Sequence, residues 1–376
     1  MSHLLVTNDF PPKTGGIQTY LWELWRRLPA ETTHVLTTSY SGADDFDRNS
    51  PISITRVPQR VLLPTPALAR TIAETCKSRG ISLVIYDPAL PLGLIGPRVG
   101  IDYLIIVHGA ELTVPGRLPV AAGLIRREFA RARGVIAAGG YPANEASRLV
   151  SPGMVPQIKV VMPGVDTTRF TPLSAPDRLE ARRYLGLSKS GPVVASVSRL
   201  VPRKGMDTLI RAGALLSGEF PGLQVVIGGD GRDRGRLERL ANSLSAPVRF
   251  LGEISHETLP QVYGSSDLFV MACRDRWFHL EQEGFGVVFL EAAACGVPQI
   301  AGASGGSHEA VLHDKSGLVL ENSSDHIEVA GKIRSLLADP ERRADMGNHA
   351  RHRVVQEFDY DYLSRKLADV IGEFDP

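Results

Sequence analysis

Short runs of hydrophobic residues alternate along the chain with segments in which hydrophobic residues recur every three or four positions. Residues 4–7 are a run of the first kind and predict a β-strand, whereas residues 17–28 show the helical period. The same alternation predicts further strands at residues 33–38, 53–57, 83–86 and 103–107. Strands separated by helices are typical of a parallel sheet with right-handed crossovers.

The alternation stops once and then restarts. Residues 171–177 are polar and contain proline, so we place a domain boundary nearby, which gives domains over residues 1–168 and 169–359. The second domain is predicted to contain strands at residues 193–198, 224–228, 248–251, 268–271 and 299–301, and helices at 206–216, 234–243 and 259–265. A last helix, residues 360–376, is expected to pack back on the first domain. The predicted fold is α/β, with two Rossmann-like, doubly wound domains facing across a cleft.

One stretch of the second domain combines two carboxylates with the start of a helix. Glu283 stands in the loop ahead of a hydrophobic helix expected to begin near Gly286 and to end at Gly296, and Glu291 lies about five residues into that helix. The first amides of such a helix, here in the segment Gly284, Phe285, Gly286 and Val287, favour an anion such as a diphosphate. The stretch predicts a sugar-nucleotide site, with the sugar at Glu283 and the ribose at Glu291. Two glutamates at this spacing also occur in ordinary helices.

Two candidate ligand loops follow strands of the first domain. Residues 8–16 contain the adjacent Gly15 and Gly16 and link a strand to a helix, where α/β folds bring phosphates or sugars to backbone amides. This loop matches neither the dinucleotide-binding pattern nor the P-loop, and an ordinary turn explains it equally well. His108 ends another strand and is followed by glycine. It can donate to a sugar hydroxyl, polarise a leaving group, or serve only as a structural hydrogen-bonding group.

Arg199 and Lys204 lie in a loop at the end of the first strand of the second domain. A guanidinium and an ammonium group together would neutralise a diphosphate leaving group, and a solvated basic loop is the alternative. Residues 228–231 and 304–306 are glycine-rich loops at other strand ends. Since the carboxyl ends of parallel strands meet at one edge of a sheet, these loops together favour a binding site there.

Composition and charge narrow the class of protein. The chain has 376 residues, of which 43% are hydrophobic and 22% are charged, with a net charge of +1. These values are typical of a globular enzyme and do not favour a nucleic-acid partner. The three cysteines are far apart and show neither disulfide nor metal-ligand spacing, which indicates a reducing compartment. Because no run of about 20 hydrophobic residues and no signal peptide is recognisable, we expect a cytoplasmic protein.

A basic segment is a candidate membrane-binding element. Residues 116–134 carry five arginines among hydrophobic residues, which predicts a basic amphipathic helix that could lie on an anionic membrane. The solvated face of an ordinary helix beside the sheet is the alternative. Residues 1–165 contain 17 Lys and Arg against 12 Asp and Glu, so the first domain is basic. This asymmetry mildly favours an acidic or lipid-bound acceptor.

Taken together, these motifs resemble those of the retaining glycosyltransferases of family four, which have the GT-B architecture. The resemblance spans nearly the whole chain. It rests on Gly15-Gly16, His108, Pro163-Gly164-Val165-Asp166, Arg199 with Lys204, Gly229-Asp230-Gly231, and Glu283 and Glu291 with Ser304-Gly305-Gly306. Within that family, residues 8–18, 198–205 and 272–276 resemble the actinobacterial phosphatidylinositol mannosyltransferases.

The resemblance implies a site and a reaction. Arg199 and Lys204 would stabilise the diphosphate without a metal or other cofactor, Glu283 would hold hydroxyls of the donor sugar, and His108 would contact that sugar from the acceptor-side domain. Gly16 would approach the diphosphate, Glu291 would bind the ribose, and the backbone around Ile254 would contact the guanine. The implied reaction is retaining, front-face transfer of an α-1,6-linked second mannose from GDP-mannose to a phosphatidylinositol mannoside. It would occur at the inner face of the cell membrane.

Other functions are compatible with the same motifs. A family-four enzyme could use another nucleotide sugar or a soluble acceptor, and a GT-B epimerase would hydrolyse its nucleotide sugar. A non-catalytic sugar-nucleotide-binding protein is a further alternative, which the presence of Arg199, Lys204 and Glu283 disfavours. Residues 276–282 are bulkier and less glycine-rich than expected from the family, which leaves the acceptor open.

Overall fold

The computed structural model describes residues 2–150, 157–277 and 281–374. The predictions for residues 278–280 and 375–376 lie outside the described residues. The chain forms two compact units, Met1–Gly164 with Tyr360–Pro376, and Val165–Asp359. The boundary falls after Gly164 and not after residue 168, because the Val165 amide already donates to the Phe358 carbonyl at 2.9 Å within the second unit.

The first unit is built on a seven-stranded parallel sheet with the order β3-β2-β1-β4-β5-β6-β7. Its strands are β1 (His3–Thr7), β2 (Thr33–Thr38), β3 (Ser53–Val57), β4 (Leu83–Asp87), β5 (Asp102–Val107), β6 (Gly134–Ala137) and β7 (Gln157–Val160). Its helices, in chain order, are α1 (Gly16–Trp25), α2 (Ala43–Arg48), α3 (Pro66–Arg79), α4 (Gly96–Val99), α5 (Ala110–Thr113), α6 (Pro119–Phe129) and α7 (Gly140–Leu149).

The second unit has a six-stranded parallel sheet with the order β10-β9-β8-β11-β12-β13. Its strands are β8 (Val193–Val197), β9 (Gln224–Gly228), β10 (Val248–Gly252), β11 (Leu268–Met271), β12 (Gln299–Gly302) and β13 (Gly317–Leu320). Its helices are α8 (Ala175–Tyr184), α9 (Met206–Leu216), α10 (Arg234–Ser243), α11 (Leu259–Gly264), α12 (Val287–Ala294), α13 (Ser307–Ala310), α14 (His326–Leu337) and α15 (Pro340–Glu357). The predicted α/β class with two parallel sheets is confirmed.

Helix α16 (Tyr360–Gly372) belongs to the first unit, although it follows the second along the chain. Its hydrophobic face, which includes Leu363 and Leu367, is buried in the same core cluster as Leu21 and Leu24 of α1. The Ser364 hydroxyl donates to the Leu24 carbonyl at 2.9 Å. Burial of about three such side chains stabilises the docked helix by several kcal/mol, so α16 is an integral part of the first unit.

The prediction of one helix over residues 116–134 is wrong. A 3₁₀ turn at Pro115–Arg117 precedes α6, which begins at Pro119, and Gly134 already starts strand β6. Proline fits the first turn of a helix but cannot continue one, and this explains the new start. The helix predicted at residues 17–28 ends earlier, at Trp25. Within the described residues, no helix is both long and apolar enough to cross a bilayer.

The strand order places the candidate site residues at special points of the two sheets. Each sheet reverses its order once, between β1 and β4 in the first unit and between β8 and β11 in the second. In open parallel sheets, ligands bind outside the carboxyl ends of the strands at such a reversal. His108 follows β5, whereas Arg199 and Lys204 follow β8 and Glu283 lies in the segment between β11 and α12. The fold thus offers one candidate ligand-binding edge in each unit.

Candidate active site

The loop after β8 buries one of its cations. Pro202–Lys204 forms a 3₁₀ turn, and the chain then turns at Gly205 with φ of +70° into helix α9. A Cβ atom at Gly205 would lie 1.9 Å from the carbonyl oxygen of Ala272, so only glycine permits this close approach. The turn leaves Lys204 only 7% exposed, whereas the Arg199 side chain is exposed. The Arg199 carbonyl accepts a hydrogen bond from the Ser198 hydroxyl at 3.2 Å, whereas its guanidinium makes no hydrogen bond or ion pair among the residues that the structure describes.

Glu283 is the centre of a buried charge cluster in the second unit. Its Oε2 accepts hydrogen bonds from Lys204 Nζ at 2.7 Å and from Arg203 Nη1 at 2.5 Å. Burial alone would raise the pKa of Glu283, but Lys204 and Arg203 outweigh it and hold the pKa below its ordinary value. Glu283 is therefore an ionised carboxylate at neutral pH. Arg203 was not among the predicted site residues, although Arg203 directly precedes Lys204 in the chain.

The glycine-rich segment 304–306 forms hydrogen bonds with the backbone of Glu283. The Glu283 amide donates to Ser304 Oγ at 3.1 Å, and that hydroxyl donates to Asp275 Oδ1 at 2.6 Å. The Gly306 amide donates to the Glu283 carbonyl at 3.0 Å. These bonds fix the backbone of Glu283, so segment 304–306 positions the site residue. The sequence predicts that this segment is also a ligand-binding loop, and that remains a prediction.

Helix α12 starts where the sequence predicted. Gly286 precedes it with φ of +85°, and a Cβ there would lie 2.7 Å from the Phe289 ring. The Phe285 ring is buried against Phe358, with centroids 5.9 Å apart. Only the backbone of Phe285 can therefore serve a ligand, together with Gly284, which is exposed. The first amides of a helix, beginning here at Val287, lack carbonyl partners within the helix and favour anions.

Glu291 is held by a buried tyrosine. Its Oε2 accepts a hydrogen bond from the Tyr263 hydroxyl at 2.6 Å, and Tyr263 is fully buried between Phe170 and Phe269. Burial raises the pKa of Glu291 and raises that of Tyr263 well above its ordinary value. The Tyr263 hydroxyl thus remains a proton donor. The sequence did not predict that Tyr263 and Glu291 pair, because they are 28 residues apart along the chain.

Ile254 follows β10 and is half-buried. A Cβ atom on Gly228 would lie 2.2 Å from Ile254 Cδ1, so the isoleucine packs against the end of β9.

In the first unit, Gly15 and Gly16 are exposed at the start of α1. The structure therefore leaves the backbone at Gly15 and Gly16 accessible, as a ligand loop requires.

His108 belongs to a buried network in the first unit. Its Nε2 lies 2.6 Å from Asp87 Oδ1, and Thr7 Oγ1 donates to Asp87 Oδ2 at 2.6 Å. Asp87 is fully buried at the end of β4, and the Tyr20 ring packs edge-on against the imidazole at 5.6 Å. The Asp87 carboxylate thus fixes the orientation of the imidazole. Asp87 was not among the predicted site residues, because the predicted strand stopped at Tyr86.

Carboxylates surround the imidazole of His108. The amides of His108 and Gly109 donate to Glu111 Oε1 at 2.5 and 3.2 Å, and Gln18 donates to Asp9 at 2.7 Å. Burial alone would lower the pKa of His108, but Asp87, with Glu111 and Asp9, raises it above its ordinary value. Burial, with a contribution from Asp87, raises the pKa of Asp9. The imidazole is therefore a proton-bearing donor over a wider pH range than a free histidine.

Comparison with known proteins identifies the family of this arrangement. Residues 177–353 match the family model described as glycosyl transferases group 1. Over 98% of the chain, 37% of residues are identical to the GDP-mannose-dependent alpha-(1-6)-phosphatidylinositol monomannoside mannosyltransferase of Mycobacterium tuberculosis, covering 97% of that protein. This chain belongs to the group 1 glycosyltransferases. This glycosyltransferase is also 35% identical to the GDP-mannose-dependent monoacylated alpha-(1-6)-phosphatidylinositol monomannoside mannosyltransferase of Corynebacterium glutamicum, over 98% of the chain and 97% of that protein.

Solved structures agree with the architecture of this glycosyltransferase. Anabaena HepE in complex with UDP superposes with a TM-score of 0.83 at 20% identity, and the match covers both chains completely. WaaG, a glycosyltransferase involved in lipopolysaccharide biosynthesis, gives a TM-score of 0.71 at 18% identity over 98% of this chain and 99% of its own. At these identities the comparison shows the fold alone. The predicted GT-B fold is confirmed.

The second-unit site of this glycosyltransferase contains several cationic groups. No group of three or more His, Cys, Asp or Glu residues suited to hold a metal ion occurs within residues 2–150, 157–277 and 281–374. The loop after β8 supplies Arg199, Arg203 and Lys204, and the start of α12 adds the positive end of a helix. Such an edge can bind a diphosphate and hold a neighbouring hydroxyl group at Glu283.

Proposed function

We propose that this glycosyltransferase moves mannose from GDP-mannose to a phosphatidylinositol monomannoside, with retention and an α-(1-6) linkage. The observation that carries the proposal is the buried, ionised Glu283 beside Lys204, directly ahead of helix α12. A carboxylate that accepts hydroxyl groups next to an anion-binding helix start matches a sugar diphosphate. Relatives from Mycobacterium and Corynebacterium that carry this activity in their names align along nearly the whole chain.

In this proposal the second unit binds the donor. Lys204 and Arg199 neutralise the diphosphate as it leaves, and the amides of the segment 284–287 bind its oxygens. Glu283 accepts hydroxyl groups of mannose, Glu291 accepts those of the ribose, and the backbone at Ile254 contacts guanine. Charge stabilisation by these side chains needs no metal ion or other cofactor.

The first unit is proposed to serve the acceptor side. His108 would donate a hydrogen bond to the transferred sugar, because the neighbouring Asp87 raises the pKa of its imidazole and fixes its orientation. The exposed amides at Gly15 and Gly16 would approach the diphosphate. The departing phosphate would then take the proton of the attacking hydroxyl group on the same face of the sugar, which gives retention.

Helix α6 supports the proposal that the protein associates peripherally with the inner face of the cell membrane. Its inner face, with Ile125 and Phe129, is buried in the core. Its outer face presents Val120, which is 80% exposed, with Leu124 and Arg127 at helical spacing. Exposed hydrophobic and cationic side chains on one helix face are typical of binding to an anionic bilayer surface.

Calorimetric titration of GDP, UDP and ADP, with and without EDTA, tests the donor. We expect GDP to bind at least about tenfold more tightly than UDP or ADP, which is a difference of ~1.4 kcal/mol, and EDTA to have no effect. Mass spectrometry should then show one added hexose on phosphatidylinositol monomannoside after incubation with GDP-mannose. Preference for UDP would exclude the proposed donor, and release of free sugar without acceptor would indicate a hydrolysing enzyme.

Sedimentation with vesicles tests the membrane surface. A Val120→Gln/Arg127→Gln double variant should bind phosphatidylinositol-containing vesicles about 30-fold more weakly than the wild type, since the exposed cation contributes ~1 kcal/mol at an anionic surface and the valine adds a similar amount. Leu179→Gln, which changes a 52% exposed leucine of α8 in the second unit, should bind like the wild type. Equal vesicle binding by all three proteins would exclude α6 as the membrane contact.

A further inference from the structure

Both cations of the Glu283 cluster bind the same carboxylate oxygen. Arg203 Nη1 and Lys204 Nζ lie 2.5 and 2.7 Å from Oε2, whereas no donor within the described part of the chain reaches Oε1. The Glu283 side chain is only 9% exposed. Since Oε1 is not among the fully buried side-chain atoms that lack a partner within the described residues, it is open to water or to a ligand hydroxyl group that donates to it. Oε1 is therefore the oxygen that a ligand can use.

Arg203 is braced by its surroundings. Its carbonyl accepts a hydrogen bond from the Arg274 amide at 2.9 Å, and the Arg274 guanidinium bonds both carboxylate oxygens of Asp207 at 2.9 Å. Its own side chain is 17% exposed and lies 3.9 Å from Glu281 as well. These contacts fix the direction in which the guanidinium points.

Lys204 has N–H donors that are available to a ligand. Among the described residues, Nζ bonds only to Glu283, and an ammonium group carries three N–H donors. Two donors therefore remain for a phosphate oxygen while the third stays on Glu283. If Lys204 shares its charge with a diphosphate, the remaining charge of Glu283 must be balanced by Arg203.

We propose that Arg203 is a positioning residue for the donor sugar. Its guanidinium holds Oε2 of Glu283, so that Oε1 receives a sugar hydroxyl group and Lys204 can bridge Glu283 to the diphosphate. This assignment rests on the proposed role of Glu283 in donor binding. Because Arg203 acts through Glu283, it affects ligands that carry the sugar and leaves the bare nucleoside diphosphate unaffected.

The test compares Arg203→Gln with the wild type in three measurements. The dissociation constant of GDP should change by less than twofold. The kcat/KM for GDP-mannose should fall by about 10- to 100-fold, as expected when a charge-assisted hydrogen bond at a buried carboxylate is lost. The acidic limb of kcat/KM should move to higher pH, since Arg203 helps to keep Glu283 ionised.

Two further variants serve as controls. Arg203→Lys keeps the charge, so it should retain the wild-type acidic limb while only partly restoring kcat/KM. Arg232→Gln removes a 65% exposed arginine that lies 3.9 Å from Glu281 and makes no bond to Glu283, and it should leave every constant unchanged. Thermal melting of each variant identifies any that fails to fold.

An equal loss of affinity for GDP and for GDP-mannose in Arg203→Gln would overturn the proposal, because Arg203 would then bind the diphosphate directly. Unchanged kinetics would overturn it as well. If the wild-type protein prefers another nucleoside diphosphate, the proposed donor is wrong, but the comparison between that nucleotide and its sugar conjugate still decides the role of Arg203.

Discussion

At the scale of single residues, both units bury a carboxylate against a cation beyond the carboxyl ends of their strands. Asp87 binds His108 in the first unit, and Glu283 binds Lys204 and Arg203 in the second. Leaving one partner of such a pair alone is strongly unfavourable, because a buried charge loses its compensation. The two clusters differ in the kind of cation, since the reference pKa of an imidazole lies near neutral pH and those of ammonium and guanidinium groups lie well above it.

We predict that Asp87→Asn lowers the pKa of His108 and destabilises the protein in a pH-dependent way. A histidine whose pKa is raised on folding contributes stability that is fully present below its unfolded pKa, about 6.5, and is lost as pH rises through the folded pKa. The variant should therefore lose ~1–3 kcal/mol at about pH 5.5 and less at about pH 8.5. Urea unfolding at both pH values and NMR titration of the imidazole measure the two effects.

Asp102→Asn is the matched control for this prediction. Asp102 starts the neighbouring strand β5 and makes only a half-exposed ion pair with Arg133 at 3.5 Å. Its removal should change the free energy of unfolding by less than about 0.5 kcal/mol at either pH. If Asp87→Asn were equally destabilising at both pH values, the raised pKa of His108 would not be the source of the stability.

Some site residues were predictable from the sequence and others were not. His108 and Arg199 follow predicted strands, and Lys204 stands just before a predicted helix, so their positions are visible in the pattern. Tyr263 gave no such signal, because it sits inside a helix and its partner Glu291 is distant along the chain. Asp87 gave a weak signal in the sequence, since a polar residue at the end of a buried strand is unusual.

At the scale of elements, the loop after β8 depends on one glycine. Gly205→Ala should destabilise the second unit by ~2 kcal/mol or more, because φ of +70° costs a non-glycine residue ~1–3 kcal/mol and the added Cβ would overlap the Ala272 carbonyl. Since this turn positions Lys204, binding of GDP should weaken in the same variant. Thermal melting and calorimetric titration provide the two measurements.

Gly331→Ala separates this effect from a general response to alanine. Gly331 lies inside helix α14, and an added Cβ there would meet no heavy atom within 4 Å. Alanine should therefore stabilise the protein by ~0.5–1 kcal/mol and leave GDP binding unchanged. A melting temperature for Gly205→Ala as high as that of Gly331→Ala would contradict the conclusion that the turn after β8 requires glycine at position 205.

Most strands were predicted from their hydrophobic runs, including the four-residue strands β11 and β12, and a few elements were missed. Strands β6 and β13 and helices such as α7 were not predicted. Strand β6 was missed because the predicted helix over residues 116–134 ran up to its first residue, Gly134, and the hydrophobic run that follows is too short to predict a strand from its local pattern. The pairing of β6 with β5 and β7 overrides that local pattern, and such a long-range effect is invisible in a short window.

At the scale of the whole molecule, the chain passes between the units at two places that lie side by side. The Val165 amide bonds to the Phe358 carbonyl, and the Thr167 hydroxyl bonds to the Asp359 carboxylate at 2.5 Å. Arg351 donates to the Thr167 carbonyl at 3.0 Å and so ties the same point to helix α15. The second unit, Val165–Asp359, is therefore a continuous segment whose ends adjoin each other.

A segment with adjoining ends can be exchanged as one cassette. Recombination at these two junctions would replace every proposed donor-binding group of the second unit, including Lys204, Glu283 and Glu291, without cutting a strand of either sheet. The host would keep its proposed acceptor-side residues, among them His108. Evolution could thus exchange the second unit as a whole, and a chimaera made at the same junctions would take the proposed donor-binding groups of the second unit from one parent and the groups of the first unit, including His108, from the other.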